Sequence, residues 1–120
     1  MKYMLMIHLN PTLFEALPEE ERQAVFGEHD AFQKELRETG ELVGFAALSD
    51  PSNSGVVRVR EGVPAVTDGP FVEAKEFLAG FYVVDCETRD RADELAAKIP
   101  DARYTGIEVR PLMEDAGLEM

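Results

Sequence analysis

The sequence predicts an α+β domain built on the ferredoxin-like plan, βαββαβ, with an inserted β-hairpin arm. Three observations predict it. Residues 2–9 and 77–86 alternate at period two with apolar side chains on both sides, the pattern of strands covered on both faces. Residues 18–39 and 88–99 carry apolar stripes at helical spacing. The remaining short strand-like runs fall between and after these segments in the order strand, helix, strand, strand, short strand, strand, helix, strand.

In the first strand, Tyr3, Leu5, Ile7 and Leu9 face one side and Met4, Met6 and His8 the other, and Asn10-Pro11 breaks it. Pro18 followed by Glu19, Glu20 and Glu21 is a helix start, with proline in the first turn and carboxylates at the positive end of the dipole. The helix is expected to run to about Thr39 and stop at Gly40. Its stripe is Val25, Phe32 and Leu36, with His29 on the same face and Phe26 widening it. Residues 42–48 form a second strand, 49–55 a loop of turn formers, and 56–60 a third strand. Glu61-Gly62-Val63-Pro64 turns the chain, and Ala65-Val66-Thr67 is a short strand leading to Asp68-Gly69-Pro70. Phe77 to Cys86 is the long strand. Thr88 caps a second helix whose inner stripe is Ala92, Leu95, Ala96 and Ile99, and Pro100 ends it. Residues 106–110 form the last strand. A single domain over 1–113 is expected, followed by a frayed acidic tail, 114–120.

Right-handed crossovers put both helices on one face of the sheet. The two doubly apolar strands then need cover on the other face, and a second copy of the chain is the simplest cover. A homodimer with sheets packed face to face follows as an expectation.

Composition narrows the function. The chain has 24 acidic and 12 basic residues among 120, a net charge of −12. Such a surface repels phosphate backbones and anionic lipid, so neither nucleic acid nor membrane is the expected partner. Cys86 is the single cysteine, which rules out an intramolecular disulfide and a cysteine metal cluster. The N-terminal apolar run is too short for a signal peptide, and no run approaches the ~20 residues of a membrane span. A soluble, cytoplasmic domain is expected.

The string Thr67-Asp68-Gly69-Pro70-Phe71-Val72-Glu73-Ala74-Lys75-Glu76, followed by Gly80-Phe81-Tyr82 and later by Ile107-Glu108-Val109-Arg110-Pro111, resembles the YCII-related family in its DGPF branch. The likeness extends to Tyr3-Met4-Leu5-Met6 and to the helix with His29, Phe32 and Gly40. It implies a dimeric α+β barrel of ferredoxin-like subunits. It also implies a histidine–aspartate pair in a pocket, which carries over to His29 and Asp68. Some relatives are lyases that remove halide from chlorinated hydroxyquinols; the rest of their pocket has no counterpart in this sequence. Members of the DGPF branch occur beside, or fused to, extracytoplasmic-function sigma factors, which adds a sigma factor to the candidate partners.

The candidate chemistry starts with His29 and Asp68. A carboxylate on one imidazole nitrogen fixes the tautomer and leaves the other as a base near neutral pH. The structural alternative is a core-facing histidine on a backbone carbonyl, with Asp68 simply forming the turn. Glu73, Lys75 and Glu76 could line a pocket mouth or make a solvated edge. Arg110, on one face with Glu108, could clamp a carboxylate or form a structural pair. His8 and His29 lack any metal-ligand spacing, so neither metal nor cofactor is expected. No phosphate loop, nucleophile elbow or dinucleotide fingerprint is present. Two function classes stay open: a small-molecule enzyme of lyase or isomerase type working by proton abstraction, and a non-catalytic dimeric module that binds a small ligand or a regulatory protein.

Overall fold

The computed structural model describes residues 1–71 and 75–118. Its elements are β1 (Lys2–Leu9), α1 (Pro11–Glu15), α2 (Glu19–Thr39), β2 (Leu42–Ala47), β3 (Gly55–Arg60), β4 (Val63–Asp68), β5 (Phe77–Asp85), α3 (Arg89–Lys98) and β6 (Gly106–Pro111). Strands β2-β5-β1-β6 form one sheet whose hydrogen-bonded neighbours are all antiparallel, while β3 and β4 form a separate two-stranded ribbon. This is the ferredoxin-like α+β arrangement with an arm that the element order predicts.

Local chemistry sets most boundaries. Gly40 ends α2 in the left-handed conformation, φ 79°, and its amide and that of Glu41 close the last turn. Thr88 accepts from the Arg91 amide and starts α3. The short helix α1 was not expected: Asn10 does break β1, but its side chain accepts from the Thr12 and Leu13 amides and so starts a new turn. The arm is longer than expected because Glu61 and Gly62, at φ 52° and 78°, make the two-residue turn that suits a hairpin's twist. Val63 and Pro64 therefore join β4 instead of the turn.

The core lies between the sheet and helices α2 and α3. Leu5, Leu36, Val84, Leu95 and Ile99 have no exposed surface, and Tyr3, Phe32, Tyr82, Ala92 and Ala96 pack with them. Phe26 departs from expectation: it stands 64% exposed, outside the core stripe. On the opposite sheet face, Met4, Met6 and Phe81 are half-buried, whereas Val83 is buried. Cys86 is buried, and burial pushes its thiol pKa up, which fits an inert core residue. In the described part of the tail, Asp115 pairs with Lys2 at 3.0 Å.

Two features of this frame give measurable expectations. At Gly80, beside the irregularity in the β1–β5 register, a Cβ would stand 2.6 Å from the Ala46 carbonyl oxygen and 3.3 Å from the Ala47 Cα. Both are backbone atoms, so β2 and β5 would have to separate. Gly80→Ala is therefore expected to cost about 1–3 kcal/mol, read as a fall in Tm.

The second feature is the two-pronged contact of Arg91 with Glu41, Nε to Oε2 at 3.0 Å and Nη2 to Oε1 at 2.8 Å, which ties α3 to the start of β2. The Arg91 hydrogen bond holds the Glu41 carboxyl below its ordinary value of 4.5, against an opposing contribution from burial. A carboxylate whose pKa is lower folded than unfolded stabilises the fold above the unfolded pKa and loses that stabilisation as pH falls through the folded one. Glu41→Gln should thus cost about 1 kcal/mol at neutral pH. The gap from the wild type should close in acid below pH 4.5, in urea titrations across pH.

Candidate functional site

The site grows from three elements that the core brings together. On α2, the spacing that buries Val25, Phe32 and Leu36 turns His29 inward, and Gln33, one turn further, follows it. On β5, Tyr82 lies on the helix-facing side, directly opposite Leu5 of β1 and Phe45 of β2. The third element is the 3-10 turn Pro100–Arg103. Ile99 and Pro100 are fully buried and pull the chain into the core as α3 ends, which carries Asp101 inside, 6% exposed. Two contacts hold this turn against α2: Arg103 to Glu28 at 2.8 Å, and the Tyr104 hydroxyl donating to Glu21 at 2.8 Å.

These elements join four side chains in one line. His29 Nε2 lies 2.6 Å from Asp101 Oδ1, His29 Nδ1 lies 2.8 Å from the Tyr82 hydroxyl, and the Gln33 amide donates to that hydroxyl at 3.2 Å. Donor and acceptor roles follow from the partners. An ionised Asp101 only accepts, so Nε2 carries the imidazole proton. Nδ1 of a neutral ring must then accept, so Tyr82 O–H donates to it and takes Gln33 N–H on its lone pair. Burial pushes the Tyr82 phenol pKa up; the Gln33 bond opposes this and the charges of Asp101 and Asp30 add to it. Tyr82 is thus a neutral phenol. Phe32 meets its ring edge-on at 5.1 Å, and Phe45 lies 5.6 Å away.

The line ends at a cavity of about 340 Å³ between α2, β2 and β5. Phe14, Val25, Phe26, Phe45 and Ala79 supply apolar walls; His29, Asp30, Gln33, Tyr82 and Asp101 supply the polar part. Its size is at the small end of the range for small-molecule pockets.

The structure does not bring Asp68 to His29. Both imidazole nitrogens are already engaged, by Tyr82 and Asp101. Asp68 lies exposed at the end of β4, paired with Gly55, and Gly69, at φ 99°, bonds back to Ser54. The expected aspartate partner is corrected accordingly: within the chain it is Asp101, and Asp68 has the turn role. The reason is topological, since Asp68 belongs to an arm outside the sheet that carries Tyr82.

The other expected residues lie apart from the cavity. Glu73 falls outside the described residues. Lys75 is exposed, and Glu76 lines a second cavity of about 530 Å³ at the base of the arm, with His8, Phe71 and Phe77. Arg110 pairs with Glu108, which also accepts from His8 Nε2 at 3.1 Å. The His8 contact first, and Arg110 second, hold the Glu108 carboxyl below its ordinary range. This trio sits on the sheet face opposite the helices, consistent with a structural pair. Among the described residues, no three His, Cys, Asp or Glu side chains converge as metal ligands, and no helix is long and apolar enough to cross a membrane.

Sequence reasoning missed Asp101 and Gln33 as site residues; it offered Tyr82 only as part of an apolar lining, against core or interface packing, and missed its hydrogen bond to His29. Gln33 was accessible from its i+4 relation to His29. Asp101 carried one signal, a charged residue directly after a buried Ile-Pro pair.

The model of the YCII-related domain matches residues 1–115. An uncharacterised protein of Rhizobium meliloti (strain 1021) is 35% identical over 114 residues, covering 93% of this chain and 92% of its own. With the family match spanning nearly its whole length, this chain belongs to the YCII-related family.

Proposed function

We propose that the chain is a small-molecule enzyme of lyase or isomerase type, in which His29 takes a proton from the ligand through the Tyr82 hydroxyl. The observation that carries this reading is the engagement of both His29 nitrogens, one by a buried carboxylate and one by a phenol at the wall of a cavity. The relay runs in one direction. As a ligand C–H or O–H proton moves to the Tyr82 oxygen, the Tyr82 proton moves to Nδ1, and the imidazolium that forms is stabilised by Asp101. Tyr82 begins and ends neutral, so its raised pKa does not oppose the step. Gln33 fixes the phenol oxygen. The apolar walls favour a compact ligand, mostly apolar, with one oxygen-bearing end directed at Tyr82.

The test uses uptake of deuterium from D2O at the α-carbon of a small enolisable ketone, acetophenone being a suitable probe. Tyr82→Phe and His29→Gln should each lower the exchange rate by about 10²-fold or more. Equal rates in wild type and Tyr82→Phe would refute the relay.

The alternative is a non-catalytic module, supported by the apolar side chains left exposed on the arm. Binding of the ketone by the wild type without exchange would favour it. A sigma factor remains a proposed partner on the strength of the DGPF resemblance alone. We also propose a homodimer, on the ground that Met4, Met6 and Phe81 stand only half-buried on the sheet face opposite the helices; a second copy packed there would complete their burial. Sedimentation at micromolar concentration is expected to show a dimer.

A further inference from the structure

We propose that the β3–β4 arm docks in trans on a second copy of this chain, each copy giving one arm and receiving the other. The inference rests on the homodimer reading and adds to it a specific element and face. In the register Val57↔Val66 and Val59↔Pro64, directly opposed residues share a side of the ribbon. One face of the arm is therefore Val57, Val59, Pro64 and Val66, with Asp68 opposite Gly55 at its base. Val57, Val59 and Val66 are 64%, 65% and 69% exposed, and Phe71 beside the arm is 75% exposed. The arm forms its own two-stranded sheet, apart from the sheet that carries the core. It also stretches the molecule. The radius of gyration is 16.3 Å, against about 14 Å for a compact chain of this length.

A lone two-stranded ribbon with one apolar face is marginal in water and needs cover. Three considerations select a second copy as the cover. The first is charge. Arg58 and Arg60 lie on the other arm face, Arg58 over the Phe71 ring at 5.5 Å, and neither has a carboxylate within 4.0 Å among the described residues; Glu20 and Glu38 on the exposed side of α2 have no cation within that distance among the same residues. Two chains of net charge −12 repel, and cationic arms crossing to acidic helices offset that repulsion. The second is area. A patch of this kind is on the order of 400 Å², so two arms against two receiving surfaces remove about 1,600 Å² from water, the size of a stable interface. The third is symmetry. Reciprocal docking closes on itself as a two-fold pair and leaves no arm uncovered.

The experiment follows hydrogen exchange of the arm amides in the wild-type chain across a dilution series, alongside sedimentation. The β3–β4 amides are expected to be protected in the dimer and to lose protection at concentrations where the dimer dissociates, while β1 and β5 amides stay protected. The triple variant Val57→Ser, Val59→Ser, Val66→Ser is expected to weaken dimerisation by 100-fold or more with unchanged far-UV circular dichroism. A wild-type dimer whose arm amides exchange without protection would overturn the arm proposal and leave the dimer standing. Protection that persists in the dilute monomer would overturn it too, because the arm would then be ordered in cis. A wild type that is monomeric throughout would remove both. The exchange measurement needs no variant, so a triple variant that fails to fold does not blunt the test.

Discussion

Replacing His29 by alanine is expected to cost about 3–5 kcal/mol of folding stability, well beyond the loss of one hydrogen bond, because it strands a buried carboxylate. Asp101 is 6% exposed, and among the described residues the only partner of its side chain is His29 Nε2. The substitution also deprives the Tyr82 hydroxyl of its acceptor, although Gln33 still bonds to the phenol oxygen. Asp101→Asn removes the charge and should cost less, about 1–3 kcal/mol. The two changes should then be strongly non-additive. Once Asp101 is neutral, losing His29 leaves no bare charge, so the double variant His29→Ala, Asp101→Asn should be more stable than the sum by about 1–3 kcal/mol. Urea unfolding at pH 7 followed by two probes supplies the four values needed. Additive losses, or a His29→Ala cost under about 1 kcal/mol, would mean that Asp101 does not rest there as an anion. That result would deprive the proposed imidazolium of its counter-charge. The same measurement therefore bears on mechanism as well as on stability.

Much of this architecture is legible in the chain because it is written in local periodicity. The alternation in residues 2–9 and 77–86 and the helical stripe of Val25, Phe32 and Leu36 each follow from one element burying one face. His29 is legible for the same reason, lying in the stripe and one turn after Val25. Its partners belong to other elements. Asp101 reaches His29 across 72 positions of sequence, and Tyr82 across 53. No local pattern encodes such a meeting; it depends on where the turn after α3 crosses the sheet. Asp68 is the candidate that the family resemblance supplies, whereas the local signal of Asp-Gly-Pro encodes a turn. The extent of the arm was hidden for a related reason. Pro64 reads as a strand breaker, yet in a two-stranded ribbon every strand is an edge, where a missing N–H is tolerated.

Phe32→Ala is the second substitution for which a large effect is expected, about 3–5 kcal/mol. Phe32 is 4% exposed and belongs to the core cluster with Leu36, Tyr82 and Leu95. Truncation removes a large apolar group from a space that α2 cannot refill without moving. It also removes the ring that meets Tyr82 edge-on, at 5.1 Å and an interplanar angle of 88°. At roughly 4 °C per kcal/mol for a chain of this size, Tm should fall by about 12–20 °C. Phe32→Leu retains most of the volume and should lose much less. The comparison separates packing from function. If Phe32 only fills space, Phe32→Leu should keep both stability and the deuterium-exchange rate. If the edge-on contact also seats the phenol against His29, Phe32→Leu should remain folded yet exchange more slowly, with Tyr82→Phe as the lower limit. Helix α2 would then perform two tasks with one face, burying Phe32 to hold the fold while holding Tyr82 within 2.8 Å of the histidine on the same helix.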